Sequence, residues 1–587
     1  MNCRRWLMAL ALCACGAAPA ADKARPNIVV LVADDWGFSD VGSFGGEIST
    51  PHLDALAHRG TRFANFHTSA SCSPTRSMLL TGVDNHLNGV GNLRETMPRA
   101  HRGKPGYLGS LNQRVVTVST LLRDSGYRTY VSGKWNVGSE PHNLPDRRGF
   151  DRSIIQGDTG SDNWEPTKRY LAHMDKVYWF EDGRPAVMPK DFYSSEYFVD
   201  RAIEYIDSGA KDKKPFFAYL GFQANHVPIQ APRAFIDKYK GVYKDGWSAL
   251  RQARRDKAAA LGLIPAAAPM TTMKTTGDWE RLGAQDNQYQ QRRMEVYAGM
   301  ADAMDHHVGR LVEHLKKIGE FDNTVFVFLS DNGPEGSDYY ATLSARLWLD
   351  WEYQRGIDQL GAKGAYSIIG PSWASATAAP LDTFKFYAGE GGIRVPLIIS
   401  GVPGTQPGQI QHSLAHVTDI VPTLLELAQV AHPGSAYKGA AIEPLRGQSL
   451  LPVITGRAQR VHAADAAIGH ELSGNAALFK GDLKLVRNSS LVSDGDWHLY
   501  DITRDPGETR DLRDAMPAAF VSMQADYAAF ANSHGVLPMP EGYDPIEQVH
   551  INTVFNYYLP TFGPHVLGAL ALLVAALILL RRRRRAA

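Results

Sequence analysis

One short run, Cys72-Ser73-Pro74-Thr75-Arg76, carries the first sign of chemistry in this chain. There are four cysteines, and the other three (Cys3, Cys13 and Cys15) sit in what reads as a removable leader. Cys72 is then the only cysteine of the working protein and has no partner for an intramolecular disulfide. The residue alone leaves three readings open: an inert small hydrophobe, a reactive thiol, or a side chain chemically changed before use. A second theme is oxygen ligation. Asp34-Asp35 and Asp331-Asn332 offer only oxygen donors, which suits Ca²⁺ or Mg²⁺ better than zinc. Taken by itself, an Asp-Asp pair is as readily a helix cap or a solvated turn.

Residues so far apart in sequence need a scaffold that gathers them. Asn27–Ala33, Phe216–Leu220, Val325–Leu329 and Val395–Ser400 are short, mostly apolar runs of the kind that form buried strands. Helical stretches separate them, at Asp54–His58, Val118–Asp124, Ser195–Ser208, Met294–Ile318 and Ala415–Leu427. This alternation predicts an α/β fold with a large, mostly parallel sheet flanked by helices. Asp34-Asp35, Lys134, His226 and Asp331-Asn332 each follow a predicted strand, and open α/β sheets bind ligands beyond the carboxyl ends of their strands. Gly241–Arg293, rich in Arg, Lys, Ala and Gln, reads as a solvated helical insertion. Beyond residue 440 the pattern changes: Gly481–Val486 and Asp496–Asp501 read as antiparallel strands and Pro517–Phe530 as a helix. The expected division is a body at 26–440, a smaller α+β domain at 441–540 and a linker at 541–560.

The composition is globular, with 44% hydrophobic and 21% charged residues, and the formal net charge of +1 gives no global field for nucleic acid. Residues 1–21 have Arg4-Arg5, an apolar stretch and Ala18-Pro19-Ala20-Ala21, the layout of an export signal. Arg4-Arg5 also fits a twin-arginine leader, and Leu12-Cys13-Ala14-Cys15 loosely a lipoprotein box. At the other end, 561–580 is an apolar segment of spanning length, and the arginines of 581–587 favour a cytoplasmic tail. The two ends agree on an exported, periplasmic body anchored to the inner membrane. The alternative is a sorting tail that is later removed, with Leu559-Pro560-Thr561-Phe562-Gly563 only loosely sortase-like.

The Cys72–Arg76 run, continuing Ser77-Met78-Leu79-Leu80-Thr81-Gly82, resembles the sulfatase signature, and the likeness extends from Pro26 to about Asp511. Supporting segments are VADDWGFSD (32–40), TPHLDALA (50–57), GYRTYVSGKW (126–135), LSDNG (329–333), EGGIRVP (390–396) and LYDITRDPGE (499–508). The resemblance, strongest to bacterial arylsulfatases of the alkaline-phosphatase-like superfamily, implies a sulfuric ester hydrolase. In such enzymes the signature cysteine, here Cys72, is oxidised to formylglycine by a maturing enzyme while the chain is unfolded. Its hydrate offers one hydroxyl to attack sulfur and another to expel sulfate. The resemblance further assigns Asp34, Asp35, Asp331 and Asn332, with residue 72, to one divalent ion, usually calcium. It gives Arg76, Lys134, His226 and Lys385 to catalysis, the last three also contacting the sulfate. With a divalent ion the three carboxylates sum to −1, and Arg76, Lys134 and Lys385 bring the site to +2, a field for an anionic ester.

One position departs from the pattern. The family reads Gly-Lys-Trp-His where this chain has Gly133-Lys134-Trp135-Asn136. Asparagine holds a hydrogen bond but is no base near neutral pH, and loss of a positioned base costs ~10²–10⁴ in rate. Slow turnover, another base such as His142, or a changed substrate type would each accommodate it. Beside sulfate-ester hydrolysis stand two alternatives: a phosphonate or phosphodiester hydrolase of the same superfamily, and a silent sulfate-binding protein.

Overall fold

The computed structural model describes residues 25–586 except 173, 175, 339 and 341. The expected export signal and its three cysteines lie outside the described residues.

The core is a ten-stranded sheet. In chain order its strands are β1 (Asn27–Ala33), β2 (Thr61–Phe63), β3 (Arg128–Lys134), β4 (Arg152–Gln156), β5 (Trp179–Glu181), β6 (Arg184–Pro185), β7 (Phe216–Gly221), β8 (Thr324–Ser330), β9 (Leu397–Ser400) and β10 (Gln409–Gln411). In space they run β10-β2-β9-β8-β1-β7-β3-β4-β5-β6. The central block β8-β1-β7-β3-β4 is parallel throughout. β9 is antiparallel to both neighbours, and β5 and β6 close the other edge antiparallel. The sheet is therefore mixed, and the Val395–Ser400 run expected in a parallel array reverses direction.

The alternation of side chains along the strands explains the near-continuous apolar sequence. Val29, Leu31, Phe326, Phe328, Ala218 and Leu220 face one core, and Ile28, Val30, Val325, Val327, Phe217 and Tyr219 face the other. The first core is covered by α3 (Ser194–Gly209) and α5 (Ala284–Lys317), which bury Phe198, Val199, Met300 and Leu311. The second is covered by α1 (Cys72–Thr81), α2 (Val118–Asp124) and α6 (Ile420–Leu427), through Leu79, Leu122 and Leu424. The basic insertion is helical at α4 (Gly246–Ala260), but it is not a solvated appendage. Arg254 is buried and pairs with Asp40 at 2.6 Å and Glu47 at 2.7 Å, which its long side chain reaches from the helix.

A four-stranded antiparallel sheet follows: β11 (Ala467–Leu472), β12 (Asn475–Lys480), β13 (Leu483–Arg487) and β14 (His498–Asp501), backed by α7 (Pro517–His534). Lys484 fastens it to the body, 2.9 Å from Glu390 and 2.8 Å from Glu508; Glu390 in turn holds His67 and Arg394. The EGGIRVP and LYDITRDPGE segments thus supply a buried joint. The stretch read as a linker is helical, as α8 (Pro545–Thr553) and one wider turn (Val554–Tyr558), and runs into α9 (Leu559–Ala586). The stretch Glu547–Arg585 is long and apolar enough to cross a membrane.

A second joint has a pH signature. His86 lies 2.8 Å from Glu471 and 3.4 Å from Asp84. Burial opposes its charge, but the two carboxylates outweigh burial and lift its pKa from 6.5 to about 9. A raised folded-state pKa gives stability that is complete below 6.5 and lost as pH rises through 9. The stability difference between the native chain and His86→Gln, from urea unfolding, should be largest near pH ~6 and shrink toward pH ~10.

Candidate active site

Four neighbouring parallel strands, β8, β1, β7 and β3, end at one edge of the sheet, and the residues in or just beyond their ends build the site. β1 and β8 pair in register with Ala33 opposite Ser330, so Asp34-Asp35 and Asp331-Asn332 emerge side by side. β3 ends on Lys134, and β7 leads through Gly221 to His226. Gly221 is needed for space: a Cβ there would sit 2.4 Å from the Lys134 carbonyl oxygen and 2.8 Å from Arg76 Nη1. The loop carrying the acidic pair is held by Asp40, which accepts from Gly37 N–H and Tyr297 Oη, both at 2.6 Å.

α1 delivers Cys72 and Arg76. All ten of its residues are buried. Pro74 falls in the first turn, where a helix has no use for its N–H. Gly82 ends the helix in the left-handed region at φ 67°, and its N–H bonds to Met78 O at 2.7 Å. Cys72 is the first helical residue, where unpaired backbone N–H groups favour negative charge. Its Sγ lies 3.3 Å from Asp34 Oδ1 and 3.9 Å from Asp35 Oδ1. Burial, then Asp331 and Asp34, pushes the thiol well above its usual range.

The positive groups interleave with the carboxylates. Arg76 Nε and Nη2 reach Asp331 Oδ2 at 2.8 and 2.7 Å, and Nη1 donates to Lys134 O at 3.0 Å. Lys134 Nζ lies 2.6 Å from Asp34, and Lys385 Nζ 2.8 Å from Asp35 and 3.3 Å from Glu335. Burial raises Asp35, but Lys385 above all, together with Lys134, overrides it and holds that carboxyl at about 2. Asp34 goes the other way: burial and the neighbouring Asp331 push it up to about 7 against Lys134. His226 donates from Nδ1 to Val227 O at 2.8 Å, which leaves Nε2 as the acceptor of a neutral ring. Burial, with Lys134 and Lys385, lowers its pKa well below the usual value.

All nine residues singled out from sequence therefore meet at one place: Asp34, Asp35, Cys72, Arg76, Lys134, His226, Asp331, Asn332 and Lys385. Ligand atoms of Asp34, Asp35, Cys72 and Asp331 all lie within 4.8 Å of one another. Asn332 Oδ1 is buried without a protein partner while its Nδ2 donates to Asp35 at 2.7 Å. A crowded carboxylate set plus an orphaned amide oxygen fits a hard divalent cation.

Two residues escaped the sequence reading. Glu335 braces Lys385, and Tyr170 packs edge-on against His226 with centroids 5.2 Å apart. Both sit in loops where no periodic pattern marks them. Asn136, just past β3, has a left-handed backbone (φ 56°), accepts from Ser73 Oγ at 2.6 Å through its carbonyl, and buries Oδ1 unpartnered. His142 is exposed and contacts Asn143 instead of the site.

Residues 26–430 match the family description Sulfatase. This chain belongs to the sulfatase family. It is 38% identical to an uncharacterized sulfatase of Schizosaccharomyces pombe, over 89% of this chain and 96% of the relative. It is 35% identical to an arylsulfatase of Klebsiella aerogenes, over 77% of this chain and 97% of that one. Its fold is similar to the crystal structure of Ps i-CgsB in complex with k-i-k-neocarrahexaose, with TM-score 0.61 and 22% identity over 92% of this chain and 99% of the other. The sulfatase is an enzyme of sulfate-ester hydrolysis.

Because Arg76 is fully buried and compensates Asp331, Arg76→Met should cost about 3–5 kcal/mol of stability by urea unfolding, the penalty of an orphaned buried charge. Arg76→Lys should recover only part of it, since an ammonium cannot reproduce the guanidinium fork.

Proposed function

We propose that this sulfatase cleaves a sulfate monoester to an alcohol or phenol and sulfate, with Cys72 carried as formylglycine and one divalent cation, most favourably Ca²⁺, held by Asp34, Asp35, Asp331 and Asn332. The observation that carries the proposal is Cys72 at the first position of a buried helix, amid three carboxylates and three cationic side chains. Once present, the cation would draw negative charge from the sulfate oxygens, and the hydrated aldehyde would offer a hydroxyl to sulfur and a second to release sulfate. Arg76 fixes Asp331 and the end of β3. Lys134 and Lys385 turn charge toward a sulfate and exchange their carboxylate contacts for it. An anion beside His226 raises its proton affinity, so that Nε2 can carry a proton to the leaving oxygen. The leader sends the body out of the cytoplasm. The apolar helix anchors it, with the arginines on the cytoplasmic side. A maturing enzyme acts on Cys72 before folding closes over it, and the export machinery carries the chain.

The test is mass analysis of the peptide containing residue 72 together with sulfate release. Cys72→Ala should abolish release, and an unmodified thiol in fully active protein would refute the proposal. Chelation should remove activity and thermal stability, and calcium at about a hundred times its Kd should restore both, adding ~2.7 kcal/mol. Asn332→Ala should weaken that response. With no base at position 136, phenol should appear in a burst ahead of sulfate in rapid-mixing experiments. Asn136→His should shrink the burst and raise steady turnover by about ten-fold or more.

A further inference from the structure

A cavity of about 340 Å³ has in its lining Ser73, which directly follows Cys72, and Asn136, two residues past Lys134. Another part of its lining comes from Val549, Asn552, Asn556 and Tyr557. These belong to the helix that runs into the apolar tail, more than a hundred residues beyond the family match at 26–430. The segment is clamped in place. Asn552 Nδ2 donates to Glu95 O at 2.8 Å and Met97 O at 3.2 Å, Arg102 donates to Asn556 Oδ1 at 3.3 Å, and Arg169 donates to Tyr557 Oη at 2.8 Å. Arg99 stacks over Phe555 at 4.3 Å, and Tyr543 Oη donates to Thr96 O at 2.8 Å.

The charge of this cavity differs from the +2 that the catalytic centre would carry with its cation. Arg94 and Lys176 are offset by Glu95 and Asp158, so the charged lining sums to zero. Leu93, Met174, Tyr178 and the Val549 and Tyr557 side chains add apolar and aromatic surface. A neutral, partly apolar lining suits an uncharged leaving group, whereas a sugar bearing further sulfates would need additional cations to offset its desolvation.

Resting on the sulfatase reading above, we propose that the helix before the apolar tail is part of the substrate site. Asn556 and Tyr557 wall the leaving-group side and select an uncharged, partly aromatic or apolar alcohol over a multiply sulfated sugar.

The experiment uses the full chain in detergent. It compares kcat/KM for 4-methylumbelliferyl sulfate, methyl sulfate and a disulfated glucosamine, in the native protein and in Tyr557→Ala and Asn556→Ala. The native chain should favour the aryl ester over both others. Tyr557→Ala should lower the aryl-to-methyl ratio about ten-fold, through KM more than kcat, as expected for a lost apolar wall. Asn556→Ala should lower the same ratio, and Tyr557→Phe should hold it within about two-fold. Thermal melting identifies a variant that fails to fold, and Tyr557→Leu then takes the place of the alanine variant. An unchanged ratio in folded Tyr557 and Asn556 variants, or a native preference for the disulfated sugar, would overturn the proposal. If the native chain releases sulfate from no ester, the sulfatase reading itself fails and takes this one with it.

Discussion

The structure depends on keeping six charges out of water at one point. Asp34, Asp35 and Asp331 are fully buried, Arg76 and Lys134 equally so, and Lys385 is only 3% exposed. Stripped of solvent, any one of them alone would be several kcal/mol unfavourable; interleaved, they cancel before any ion binds. The cancellation is geometrically strict. It requires parallel strands that end at the same edge, a glycine at 221 so that Arg76 can pass, and a helix that carries Cys72 and Arg76 one turn apart on the same face. Asp34 and Asp35 meet unequal fates, one carboxyl pushed up by burial and Asp331 and the other held down by Lys385.

Much of this was legible in the chain because the central strands are covered on both faces, and such strands announce themselves as apolar runs with polar residues at their ends. The helix over Val118–Asp124 matches the expected bounds, and the long helix starts ten residues earlier than expected, at Ala284. Short edge strands such as Trp179–Glu181 and Arg184–Pro185 carry too few residues for a period to show, so the antiparallel margins were hidden. Arg254 looked solvent-facing because charge on a helix normally is; its partners, Asp40 and Glu47, lie more than two hundred residues away. Glu335 and Tyr170 were missed for the same reason, since a loop residue is defined by what it touches.

Asn136 separates two roles that one residue can hold. Its backbone adopts a left-handed conformation and gives its carbonyl to Ser73, a demand that asparagine and histidine both meet readily. The side chain is therefore free to change without disturbing the turn. A substitution there would alter proton chemistry at constant architecture, and the Oδ1 it would replace is buried without a partner.

The tail and the cavity share one unbroken run of helix, from Pro545 to Ala586. Tyr557, the last cavity-lining residue, sits two positions before Leu559, where the loosely sortase-like stretch begins. A protease cutting within that stretch would remove the apolar helix and leave every cavity-lining residue with the body. A cut only fifteen residues upstream would remove the same helix and leave the pocket open on one side.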